Sequence, residues 1–257
     1  MVAAPTVTAT ATYSTAGTVS SPLDLDAVRG EYSAVSLENG NGNGNGNGDG
    51  GANGTGKRRT VRPKPKVTLT SLTVNNSGTL RKLNSVVIPI VYSEKFYKDV
   101  LDPSLDDINK LIYYADIPVG ACCCRFENLA SSSKEKPPTL VILTLAVLAP
   151  YRSQGLGRAL LLNALRSALH PTAPPPLLPS DGKGKGGITV VARKAVSRAM
   201  AHVQVGNEDA KRFYERLGFK ATETIDDYYS KMEPRGAVLM VCDDIASALG
   251  EAPNGSA

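Results

Sequence analysis

Regular spacing of apolar residues begins near residue 67 and persists to about residue 241. Over 67–74 valine and leucine alternate with threonine and serine, the period of a half-buried strand. From Asn75 the spacing lengthens, and Leu80, Leu83 and Val86 recur as on one face of a helix that Pro89 ends. A second helix is predicted over 92–101, with Ser93 placed to cap it. Runs at 109–114 and 118–126 read as a hairpin turning about Ala115 and Asp116. The next run, 140–147, is almost wholly apolar, as a strand covered on both faces requires. A helix then extends to about His170. Alternation returns at 199–205 as a fifth strand. Asn207 opens a helix carrying Ala210, Phe213, Tyr214 and Leu217, and Gly218 closes it, because the left-handed residue after a helix favours glycine. Strands at 219–225 and 237–241 complete the order. Strands interleaved with helices in this way predict an α/β fold, a mixed central sheet flanked by helices.

Outside 67–243 the pattern stops, which makes that span the folded domain. Residues 1–66, with an Asn-Gly tract at 39–51, cannot bury enough apolar surface to offset the entropy of ordering and are expected to be disordered. A Pro- and Gly-rich stretch opens an insertion at 171–198, within which the type of any element at 188–196 is left open. The polar run 131–138 reads as a loop, and 244–257 as a flexible tail.

The formal charge of +5 gathers before the domain, at Lys57, Arg58, Arg59, Arg62, Lys64 and Lys66. Such a run is either a solvated linker or an electrostatic contact for RNA, a ribosome surface or a nuclear import receptor. It lacks interleaved aromatic residues, so sequence-specific nucleic-acid reading is not expected. No run is long enough for a membrane helix, and the N-terminus lacks a secretory pattern, so no membrane role is expected. Cys122, Cys123 and Cys124 are consecutive in an apolar strand and have neither disulfide nor zinc spacing. They read as buried reduced thiols, with Cys123 facing away from its neighbours, and point to a cytoplasmic or nuclear protein without a metal.

Chemistry enters at R-S-Q-G-L-G-R-A, residues 152–159, between the apolar strand and a helix. Gly155 and Gly157 remove Cβ atoms where a ligand would approach the backbone, and the positive end of the helix favours an anion such as a pyrophosphate. A glycine turn alone is more often structural; the flanking strand, Arg152 and the helix favour the binding role. This R-x-x-G-x-G/A loop resembles the acetyl-CoA loop of the GNAT acetyltransferase superfamily. The run N-x-x-A-x-x-F-Y-x-x-x-G-F, from Asn207 to Phe219, resembles the second GNAT signature, although Ala210 and Phe213 also suit a packed helix face. His202, one of two histidines, lies in the fifth strand, where a satisfied core histidine is the ordinary reading and a proton acceptor the functional one. His170, the other, reads as a favourable helix C-terminal cation.

The runs 83–101, 119–125, 144–152, 202–204 and 228–234 narrow the resemblance to the NatE catalytic subunit family, N-alpha-acetyltransferase 50. That resemblance implies a GNAT fold whose strands four and five splay. It implies transfer of acetyl from acetyl-CoA to the α-amine of nascent chains, with preference for a retained Met followed by an apolar residue, beside the NatA complex at the ribosome. Leu145, Ala146, Val147, Arg152, Ser153, Gln154, Gly155, Leu156, Gly157, Arg158, Asn207, Ala210, Phe213 and Tyr214 would hold acetyl-CoA. Pro89, Ile90, Tyr92, Leu143, Tyr228, Tyr229 and Lys231 would line the peptide groove. The backbone N–H of Leu145 would hold the oxyanion, Tyr214 would protonate the departing thiolate and His202 would take the amine proton.

Two departures qualify the match. Where the family has Leu-Tyr-Ile-Met-Thr-Leu with a catalytic tyrosine, this chain has Val141 in the tyrosine's place, and Ile88 replaces a phenylalanine before the groove proline. Reduced turnover is therefore expected, with two alternatives: an acetyl-CoA-binding subunit that mainly stabilises NatA, or an acetyltransferase of small amines or lysine side chains.

Overall fold

The computed structural model describes residues 65–129, 137–172 and 193–251. The expectations for 1–64, for the loop at 130–136, for 173–192 of the insertion and for 252–257 lie outside the described residues. Seven strands form one sheet in the order β1-β2-β3-β4-β5-β7-β6. Strands β1 (Val67–Ser71), β2 (Lys110–Tyr114), β3 (Ile117–Glu127) and β4 (Thr139–Val147) run antiparallel to one another. Strand β5 (Arg198–Gln204) then pairs with β4 in parallel, and β7 (Ala237–Cys242) lies antiparallel between β5 and the edge strand β6 (Lys220–Ile225).

Helices cover both faces. On one, α1 (Ser77–Val87) and α2 (Glu94–Asp99) place Leu80, Leu83 and Tyr97 against Leu111, Ala121 and Cys123. On the other, α3 (Leu156–Leu169) and α4 (Glu208–Glu215) place Leu160, Leu161, Leu165 and Tyr214 against Cys122, Cys124, Leu140 and Ile142. The cysteine triplet thus alternates between the two cores, as strand geometry dictates. Ser93 and Asn207 cap α2 and α4, their side chains accepting the N–H groups of Phe96 and Ala210. Gly218 follows α4 at φ +82°, and Ala115 turns the β2–β3 hairpin at φ 54°.

Two expectations are corrected. The first strand ends at Ser71 rather than residue 74, because Asn76 folds back to accept the Thr73 N–H at 2.8 Å and to donate to the Ser71 carbonyl at 2.9 Å, starting a tight turn. The chain from residue 244 is no tail at its start. Asp244 caps a short α5 (Ile245–Ala248) by accepting from the Ala246 and Ser247 N–H groups, and Ile245 is fully buried.

Candidate active site

Parallel pairing of β4 with β5 runs from Thr139 opposite Arg198 to Ile142 opposite Ala201, and ends there. Both strands continue, β4 along β3 to Val147 and β5 along β7 to Gln204, but they diverge. The cause lies in β4. Cys124 is opposite Ile142 while Cys123 is opposite Thr144, so Leu143 is an extra residue. A bulge of this kind bends its strand and increases the local twist. It also resets the alternation: Ile142 and Leu145 pack into the same core, and Leu143 into the other. The opening joins the two faces of the sheet in a cleft of about 840 Å³.

On the α3 side, the turn after β4 closes on itself. Arg152 donates through Nε to the Val147 carbonyl at 2.9 Å, and Gly155 stands at the helix N-cap with φ 84°. No side chain caps α3 and no carboxylate occupies its first turn, so its leading N–H groups remain for a ligand. A Cβ on Gly157 would lie 3.7 Å from the Phe213 ring and 3.8 Å from Val147, ordinary contact distances. The glycine therefore gives space to the cleft rather than relieving a clash. Tyr214 is buried between Phe213 and Phe219, both edge-on at 5.3 and 5.2 Å. Burial raises its phenol pKa, so the hydroxyl remains a proton donor.

On the α1 side, the wall is Pro89, Ile90 and Tyr92, from the connection between α1 and α2, with Leu143 of β4 and Tyr229. Tyr92 stacks on Phe96 at 4.3 Å. Burial, reinforced by Tyr228, pushes the Tyr229 phenol up to about 12. His202 faces the cleft from β5; burial lowers its pKa, and of the charges nearby Glu127 and Glu223 oppose that shift while Arg125 adds to it. The Tyr228 ring lies on the imidazole at 4.3 Å with 12° between the planes, and the Tyr229 hydroxyl donates to the His202 carbonyl at 3.3 Å.

The structure brings nearly all the site residues read from the sequence into this one cleft. Leu145, Ala146, Val147, Arg152, Ser153, Leu156, Arg158, Asn207 and Ala210 line it together with the residues just described. Gln154, Tyr228 and Lys231 stand outside its lining. Thr144, Gln204 and Met232 line it without having been singled out. Met232 falls within the 228–234 run, but an isolated methionine there has no periodic signal. Thr144 comes in because of the bulge. His170 lies elsewhere, its Nε2 2.7 Å from Glu251 Oε2. Among the described residues, no group of three or more His, Cys, Asp or Glu side chains is placed to hold a metal ion.

Comparison with known proteins accords with this geometry. The acetyltransferase (GNAT) domain family matches residues 109–221. N-alpha-acetyltransferase 50 of Danio rerio is 34% identical over 171 residues, 66% of this chain and 84% of that protein. The probable N-acetyltransferase san of Drosophila melanogaster is 34% identical over 171 residues, 66% of this chain and 77% of that protein. The solved structure of Arabidopsis thaliana Naa50 in complex with the bisubstrate analogue CoA-Ac-MVNAL is 32% identical, with a TM-score of 0.53 over 68% of this chain and 97% of that one. Sheet order and domain match together make this protein a GNAT acetyltransferase. Within that class the chain belongs to the N-alpha-acetyltransferase 50 family, whose chemistry is N-terminal acetylation.

Proposed function

We propose that the cleft transfers acetyl from acetyl-CoA to the α-amine of nascent chains that retain Met and carry an apolar residue after it. The observation that carries this reading is the opening between β4 and β5, which connects an uncapped, glycine-led helix N-terminus on one face with an apolar groove rimmed by tyrosines on the other. In the Arabidopsis thaliana relative, the analogue joins CoA to a peptide beginning Met-Val.

The residues present fit acetyl-CoA. Ser153, Gln154, Gly155, Leu156, Gly157 and Arg158, up to the first turn of α3, offer backbone N–H groups to a pyrophosphate, and the Arg152 and Arg158 side chains add positive charge. The backbone of Leu145, Ala146 and Val147, released from β5, can pair with an amide-bearing arm as an added strand would. Asn207, Ala210, Phe213 and Tyr214 wall the far side. Acetyl-CoA supplies the activated carbonyl. Pro89, Ile90 and Leu143 bury the Met side chain, Tyr92, Tyr228 and Tyr229 bond the peptide backbone, and Lys231 stands at the rim.

Neutral His202 accepts the proton of the α-ammonium, directly or through a water, and the freed lone pair attacks the carbonyl. The Leu145 N–H holds the developing oxyanion. As the C–S bond breaks, Tyr214 donates to the thiolate and is reprotonated, through water, by the second proton leaving the intermediate's nitrogen, while the first proton passes from His202 to solvent. Val141 cannot share in this proton transfer, so turnover is lower than with a tyrosine there. The chain works in the cytoplasm, with the nucleus as a second compartment, beside NatA at the ribosome; family membership and the buried free thiols support that setting.

Acetylation of a peptide library by the purified protein, with and without NatA, tests the proposal. Met-Leu peptides should lead, with spermidine and free lysine inert. Val141 favours one other reading, an acetyl-CoA-binding subunit that stabilises NatA without turnover. Acetyl-CoA binding with no product in either setting would select it.

A further inference from the structure

Tyr228 lies outside the cleft lining, yet its ring stacks on His202. The two rings are nearly parallel, 4.3 Å apart with 12° between their planes, and the phenol meets Tyr229 edge-on at 4.8 Å. The same connection is fixed a second time, where the Tyr229 hydroxyl bonds the His202 carbonyl and the Tyr229 N–H donates to Arg235 O at 2.9 Å. A segment tied to β5 by backbone and ring contacts is built to hold the imidazole.

We propose that Tyr228 is a positioning residue for His202: its ring shields one face of the imidazole from water and turns the edge towards the cleft. The inference rests on the reading of His202 as the proton acceptor. The groups facing the imidazole are Arg125 and Glu127 from β3, Glu223 from β6, and the phenols of Tyr228 and Tyr229. Arg125 is ion-paired with Glu127, so their effects on the ring oppose each other, and burial is the largest influence that remains. The stacked Tyr228 ring covers one face of the imidazole and so adds to that burial. For holding the imidazole the ring of Tyr228 is the working part, whereas its hydroxyl serves the peptide backbone. Removing the ring hydrates the imidazole and eases protonation, because water stabilises the charged form.

The protein has only two histidines, so a His170→Gln background leaves one imidazole to follow by NMR titration of its Cε1–H resonance. His170 sits with Glu251 at the far end of α3, outside the cleft. In that background the His202 midpoint should lie below the ordinary value, stay there in Tyr228→Phe, and rise towards the ordinary value in Tyr228→Ala. The acid limb of kcat/KM should move with it in the alanine variant alone. An unchanged midpoint in Tyr228→Ala overturns the proposal. So does an equal rise in the phenylalanine variant, which would assign the effect to the hydroxyl. The titration needs no turnover, so an inactive enzyme would sink the acetyltransferase reading and leave this result legible.

Discussion

Val141 is opposite Met200 in the last pairs before β4 and β5 part, and His202 follows Met200 by two positions on the same face. A tyrosine at 141 would therefore project towards the imidazole, where it could share in the proposed proton transfer. Val141→Tyr should raise kcat for a Met-Leu peptide by about 10²-fold, the lower end of what one acid–base group contributes. An unchanged kcat in a folded variant would remove the position from the chemistry. On the cofactor side, Gly157→Trp would fill the space beside Phe213 and should abolish acetyl-CoA binding in calorimetry, with the circular dichroism of the fold unchanged. The proton-accepting role proposed for His202 carries an expected pH response. Because burial lowers its folded pKa below the ordinary 6.5, the unfolded chain binds more protons between the two values. Stability is then full above 6.5 and declines as pH falls through the folded pKa; kcat/KM should decline over the same acid window. A kcat/KM limb centred above 6.5 would contradict the assignment. Most of these residues were legible because two motifs fix them by spacing. Tyr228 was legible as a site residue but not as a cover for His202, since stacking depends on how the connection to β7 folds back.

At the scale of elements, β1, β5 and the longer helices could be read from periodicity because each has one apolar face. Strand β3 is buried on both faces over Val119–Cys124, and so is most of β4. A strand buried on both faces carries no alternation, so nothing in the sequence of β4 marks Leu143 as the extra residue that opens the sheet. The connection between α1 and α2 was legible as groove, but what holds it was not. Arg81 donates through both terminal nitrogens to the Glu94 carboxylate, each at 2.7 Å, and its guanidinium lies 4.0 Å over the Tyr97 ring. Tyr97 meets Phe96, and Phe96 stacks on Tyr92, so the clamp leads by contact to the groove. The ion pair is largely exposed and adds little to stability, yet its forked geometry fixes the angle between two helices. Arg81→Ala should raise the KM for peptide several-fold and leave the KM for acetyl-CoA unchanged. Lysine at this position, unable to fork, should not restore it. Equal rises in both KM values would show general loosening instead.

Across the whole molecule, catalysis and the insertion are kept at opposite ends of α3. Its N-terminus lines the cleft, and its 14 residues carry the chain about 21 Å to the point where the insertion leaves. The chain returns at Arg193, which forks onto the Asp107 carboxylate at 2.9 and 2.8 Å and donates to the carbonyls of Ser104 and Ser167. Asn163 and Ser167 of α3 each donate to the Asp107 carbonyl at 3.0 Å, so helix, insertion and the approach to β2 meet at one ion pair. Its side chains are only 12% and 19% exposed. Removing one partner leaves the other charge poorly hydrated, which for a buried pair costs about 3 kcal/mol. For a domain of this size that lowers Tm by roughly 6–12 °C. Asp107→Ala should show this loss, and adding Arg193→Met should recover part of it, because the paired removal leaves no stranded charge. The kcat of both variants should equal that of the parent well below the transition, since the junction lies at the other end of α3 from the cleft. A fall in kcat without a fall in Tm would mean that this junction communicates with the opening between β4 and β5. Intact kcat with the predicted melting order would establish that the fold carries its added segment on an anchor separate from its chemistry.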